Sequence, residues 1–167
     1  GLSYDHVIRH GELYRIITSS FAHANIIHLL YNIYTLYAQR SFETVLGWQT
    51  YLALHLIFTL ACALLELFVT YVTAVLMSFS YLRTLTVGYS GTLYAINTFF
   101  LLQLHANIFE TRTLFPLLFF NCILALLSPY ISLLGHLSGV FVGYGAYSTQ
   151  QRWLPPLRAI VNSFELM

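Results

Sequence analysis

From Trp48 to Leu82 the chain carries one formal charge, Glu66. A helix of about 20 apolar residues crosses the hydrocarbon of a bilayer, so this run exceeds one span and falls short of two. We expect one helix from near Trp48, an interface aromatic, to about Phe68. An apolar loop at the membrane surface, or dipping into it, follows; such a loop must find its backbone partners within protein. The rest of the chain shares the bias. Its 167 residues are 58% hydrophobic and 8% charged, against about 25% charged in soluble domains, and the mean hydropathy is +0.71. This is the composition of a membrane protein with lipid as its surroundings. A net charge of +1 offers no basic surface, so no nucleic acid partner is expected. Cys62 and Cys122 both lie in apolar segments and read as small buried hydrophobes rather than a disulfide.

Residues 1–22 alternate Asp5, His6, Arg9, His10, Glu12 and Arg15 with apolar residues. No span fits there, and an interfacial segment is expected, with Tyr14-Arg15 at the headgroup boundary. Asn25 suits the N-cap of a helix from about Ile26 to Phe42, which exits through Arg40, Glu43 and Gly47. Further helices are expected from Ser90 to about His105, from Leu114 to Leu127, and from about Ile131 to Tyr147. Pro116 falls in a first turn, where proline is tolerated, whereas Ser128-Pro129 and Pro155-Pro156 interrupt helix. The expected fold class is therefore all-α: a polytopic transmembrane helical bundle with five spans. It forms one domain over 1–167, with an interfacial first loop (1–22), a five-helix core (23–147) and a polar tail (148–167). No internal repeat is present, which counts against an inverted-repeat transporter. Arg9, Arg15 and Arg83 fall on one side of the membrane, and Arg40, Arg112, Arg152 and Arg158 on the other. The positive-inside rule then puts the tail in the cytosol. The chain opens on Gly1, as a fragment or processed product would, without a signal-peptide pattern.

Polar groups inside a span are costly and tend to be functional. Four stand out: His28, Asn32, Ser90 and His136. Ser90 lies in Gly88-Tyr89-Ser90-Gly91. Gly88 permits a tight turn and close backbone approach. Ser90 then opens a helix, where backbone N–H groups have no intrahelical partner and can hold an oxyanion. His28 and Asn32 are four residues apart and share a helix face, at a depth similar to Ser90. His136 is followed on its own face by Gly139 and Gly143, and small residues at that spacing let two membrane helices press together. If the partner is the Ser90 helix, Nε2 of His136 reaches Oγ of Ser90.

That pair could run acyl transfer without an acid, with histidine taking the serine proton and later protonating the leaving amine. No Asp or Glu is placed to complete a triad. Tyr94, one turn below Ser90, could stack on the imidazole, while His28, Asn32 and the Ser90 N–H could donate to the oxyanion. Taken singly, each residue has a plainer reading. His28 could be a packing histidine, Asn32 interhelical glue, Tyr94 one packed tyrosine among thirteen, and Gly139 with Gly143 a simple contact motif. His23 fits a loop or interface position. His23, His28 and His136 lack ligand spacing, and no carboxylate or thiolate joins them, so no metal is expected. His6, His10, His55 and His105 have no evident partner.

Taken in order, these pieces resemble the rhomboid family of intramembrane serine proteases. The matching parts are His23-x4-His28-x3-Asn32, Gly88-Tyr89-Ser90-Gly91, Gly135-His136 with Gly139 and Gly143, and Glu43 with Gly47. They cover roughly Tyr14 to Tyr147. The resemblance implies that Ser90 is the nucleophile and His136 the base. It implies an oxyanion hole of His28, Asn32 and the Ser90 N–H, with Tyr94 packed on His136 and His23 structural. Substrates would be single-pass transmembrane proteins, cut in or near the span after a small residue, with no cofactor or metal. The helix at 114–127 would be the lateral gate, and the loop at 70–87 the cap near the site. The alternative within the same family is a catalytically inactive membrane scaffold that binds client helices; such relatives usually lack the serine or the histidine. Three departures stand out. The family's six-span core has one span before those visible here, Tyr14-Arg15 replaces the usual Trp-Arg, and Gly135 stands where alanine is common.

Overall fold

The computed structural model describes residues 1–105 and 132–149. Six α-helices lie within them: α1 (Arg15–Thr18), α2 (Ile26–Ala38), α3 (Arg40–Leu46), α4 (Trp48–Leu76), α5 (Ser90–His105) and α6 (Leu133–Thr149). The expected helix at 114–127, the loop before it and the tail from 150 onward lie outside the described residues.

Asn25 sits in extended backbone, and its side chain accepts the His28 N–H at 2.8 Å, which starts α2 as the sequence suggests. The helix expected to run to Phe42 instead breaks at Gln39. The buried Gln39 side chain donates Nε2–H to the Leu93 carbonyl of α5 at 3.1 Å. Its own N–H is shared between the Thr35 and Leu36 carbonyls. A tertiary bond thus turns the chain into α3, and Gly47 at φ 78° turns it again into α4.

The helix expected to end near Phe68 continues to Leu76. No glycine or proline interrupts Trp48–Leu76. Its far half buries Ala63, Leu67, Thr70 and Ala74 at helical spacing, partly against Leu2 and Val7. At 29 residues it is about 43 Å long, more than the roughly 30 Å of bilayer hydrocarbon. A longer helix and a shorter loop, with a 3-10 turn at Phe79–Arg83, account for the uncharged stretch. Among the described residues α4 is the one helix long and apolar enough to cross a membrane by length and composition; α2, α5 and α6 have 13, 16 and 17 residues.

Helices α4, α5 and α6 all pack on one another, most extensively α5 on α6. Ala95, Ile96 and Phe99 of α5 are fully buried against Tyr51, Leu54 and Phe58 of α4. Phe42 of α3 stacks on Phe100 at 3.8 Å. The polarity is inverted relative to a water-soluble bundle. In α2 Ile26, Ile27, Leu30, Ile33 and Tyr34 are exposed while Asn32 is buried. In α4 Leu52, Leu56, Leu60 and Phe68 face out while His55, Thr59 and Glu66 face in. Apolar outside and polar inside is what lipid demands.

Residues 1–22 hold no span. They form a π-helical turn (Asp5–Arg9), α1 and a 3-10 turn (Ser19–Phe21). Leu2 and Thr86 exchange backbone hydrogen bonds at 2.7 and 2.8 Å, and the Gly88 N–H donates to the Ser19 carbonyl at 3.1 Å. The first loop is thereby tied to the segment that leads into α5, which puts Arg9, Arg15 and Arg83 at one end of the bundle.

Candidate functional site

Ser90 is the first residue of α5, delivered by Gly88 at φ 113°. Only glycine suits that backbone, and space demands it as well. A Cβ at Gly88 would lie 2.6 Å from Cε1 and 2.8 Å from Nε2 of His28, and 3.5 Å from Nδ2 of Asn32. The turn before Ser90 therefore rests directly on the two polar side chains of α2.

The base comes from α6 through backbone contact. A Cβ at Gly139 would overlap the Gly91 carbonyl oxygen and lie 2.9 Å from Tyr94 Cβ. One at Gly143 would overlap the Ala95 carbonyl and lie 2.8 Å from Thr98 Cβ. The two glycines let α6 touch the α5 backbone. At that approach His136 Nε2 lies 2.7 Å from Ser90 Oγ, inside hydrogen-bond range. The Tyr94 ring stacks on the imidazole at 4.4 Å with 26° between planes. His136 is 8% exposed, while Ser90 is half-buried.

Nδ1 of His28 and both polar atoms of the Asn32 amide are buried, with no hydrogen-bond partner among the described residues. Leaving such groups unmatched costs stability; of them the Asn32 Nδ2–H2, and His28 Nδ1 where it carries its proton, can donate to a ligand oxygen. The ring of His23 meets that of His28 edge-on at 5.1 Å. His28, Asn32, Tyr94 and His136 are in this way brought around the start of α5. No group of three His, Cys, Asp or Glu side chains among the described residues could hold a metal.

The family model of the Rhomboid domain matches residues 10–150. The chain belongs to the rhomboid family. It is thus a member of a family of intramembrane proteases and an integral membrane protein. No curated protein and no solved structure matches the chain.

Around its site this rhomboid has contacts that sequence reasoning missed. His55 Nδ1 and the Tyr89 hydroxyl are 2.7 Å apart, with their rings nearly parallel. Thr59 and Thr92 hydroxyls are 3.0 Å apart, and the Cys62 thiol donates to the Gly91 carbonyl at 3.6 Å. These bonds fasten the loop and first turn around Ser90 to α4. A signal was present: His55, Thr59, Cys62 and Glu66 recur at i, i+4, i+7 and i+11, a polar stripe along one face of an otherwise apolar helix. Away from the site, His6 pairs with Ser3 and His10 with the Asp5 carbonyl. Cys62 is a free buried thiol; Cys122 lies outside the described residues.

Proposed function

We propose that the protein is an intramembrane serine endopeptidase that cleaves transmembrane segments with a Ser90–His136 dyad. The observation that carries this reading is the 2.7 Å contact between Ser90 Oγ and His136 Nε2. With Nδ1 protonated, Nε2 accepts the Ser90 proton as Oγ attacks the scissile carbonyl. The developing oxyanion takes hydrogen bonds from the Ser90 N–H, His28 and Asn32. One such donor is typically worth about 3 kcal/mol. The imidazolium then protonates the leaving amine, and water, deprotonated by His136, releases the acyl-enzyme. Tyr94 holds the imidazole plane where an acid would in a triad. In a low-dielectric site a dyad avoids burying a third charge. No cofactor or metal enters the scheme.

The substrates are single-pass membrane proteins cut in or near the span after a small residue. On this reading α2, α4, α5 and α6 each cross the membrane. The end carrying Arg9, Arg15 and Arg83 is external or lumenal, and the tail is cytosolic by the arginine balance.

Full-length protein in proteoliposomes with a single-pass reporter tests this. Cleavage by wild type that is lost in Ser90→Ala and in His136→Ala supports the proposal. Co-purification of the reporter without cleavage would instead favour the inactive scaffold.

A further inference from the structure

Glu66 takes no part in the chemistry above, yet it is a buried carboxyl in the middle of a membrane-type helix, 8% exposed. Its Oε1 accepts the Ser132 hydroxyl at 3.0 Å. Ser132 precedes α6, and its Oγ accepts the Gly135 N–H at 2.9 Å, as an N-cap does. Thr86 Oγ1 also donates to Ser132 Oγ, at 3.4 Å. A hydroxyl has one proton and two lone pairs. The Ser132 proton goes to Glu66 while its oxygen accepts the Gly135 N–H, and the Thr86 hydroxyl is within reach of both Ser132 Oγ and the Glu66 carboxyl. The Ser132 carbonyl accepts the His136 N–H at 3.1 Å. One cap residue therefore holds both N–H groups of the dipeptide that carries the base, and Glu66 holds the cap.

The same carboxyl packs on the backbone beside the base. A Cβ at Gly135 would lie 3.1 Å from Glu66 Oε2, 3.2 Å from Oε1 and 3.1 Å from Ser132 Oγ. These separations are tighter than ordinary van der Waals contact. The missing Cβ at Gly135 leaves the space that the carboxyl fills.

We infer that Glu66 is a positioning residue for His136: through Ser132 and the Cα of Gly135 it sets the register of the first turn of α6, and so brings the imidazole to Ser90. Its consequence for catalysis rests on the dyad reading; the positioning itself does not.

The test uses full-length protein labelled with 15N-histidine, with two readouts: the rate of labelling by a serine-reactive fluorophosphonate, and the imidazole 15N shifts of His136. Glu66→Gln keeps an acceptor oxygen and should leave both close to wild type. Glu66→Leu removes it; labelling should slow by about 10- to 100-fold, and the His136 signal should move toward that of Ser90→Ala. Ser132→Ala breaks the chain at its other end and should act in the same direction, which keeps the test open if the leucine variant does not fold. Gly135→Ala should slow labelling. Glu66→Asp, with the carboxyl drawn back by one methylene, should recover part of that loss in the double variant. Lowered thermal stability with unchanged labelling rate and unchanged His136 shifts in the folded fraction overturns the inference, as does simple additivity of the changes at 66 and 135. An unlabelled wild type whose His136 signal still answers to Glu66→Leu overturns the dyad reading and supports the positioning role.

Discussion

The Cα of Gly139 lies against the carbonyl oxygen of Gly91, one residue past the serine that opens α5. Gly143 repeats the contact one turn on, against the Ala95 carbonyl. The separation of α5 and α6 is set by backbone atoms, which cannot yield as a side chain can. Gly139→Ala and Gly143→Ala should each destabilise by about 1–3 kcal/mol, and Gly139→Ala should also slow the reaction by moving His136 off Ser90. Gly145 on the same helix is the control, because a Cβ there would meet nothing within 4 Å. Gly145→Ala should be neutral or mildly stabilising. Thermal unfolding in detergent read beside cleavage rate checks both.

Asn32 is buried with both amide atoms unmatched among the described residues. Asn32→Ala should lower kcat by about 100-fold or more with little change in KM, since the bond is made to the transition state. A rise in KM at constant kcat would instead assign Asn32 to ground-state binding.

The start of α5 at Ser90 was legible in the sequence because local chemistry decides it: a glycine turn, a small polar first residue, then an apolar run. The N-cap at Asn25 was legible for the same reason, and the glycine spacing after His136 reported a close helix contact without naming the partner. The break at Gln39 was not legible, because glutamine is a good helix former and the break comes from its bond to Leu93 in another helix. The end of α4 was obscured because no glycine, proline or charge follows Glu66 before Arg83, so nothing in the sequence marks where the helix stops. His55 and Tyr89 are joined across the fold, and only the polar stripe along α4 hinted at it.

The Tyr89 hydroxyl bonded to His55 steadies the residue just before the nucleophile. Tyr89→Phe should cost about 1 kcal/mol. Combined with His55→Phe the loss should be less than the sum of the two, measured by unfolding of the four-member cycle. Additive losses would mean that the two side chains act separately.

In the first loop Arg15 Nε donates to Glu12, and Arg15 Nη1 donates to the Gly1 carbonyl at 3.1 Å. The guanidinium holds the Glu12 carboxyl below its usual range, chiefly through that hydrogen bond. A lowered folded value means that the contribution is present at neutral pH and fades as pH falls through it. Amide exchange over residues 1–22 should therefore quicken in acid, below about pH 4, relative to a reference corrected for intrinsic rates. Glu12→Gln should remove the acid dependence.

The most direct test of the central claim is the site of covalent modification. Full-length protein treated with a serine-reactive fluorophosphonate should carry one adduct, mapped by mass spectrometry to Ser90, and the adduct should disappear in Ser90→Ala and in His136→Ala. An adduct on another serine, or labelling that persists without His136, would contradict the dyad.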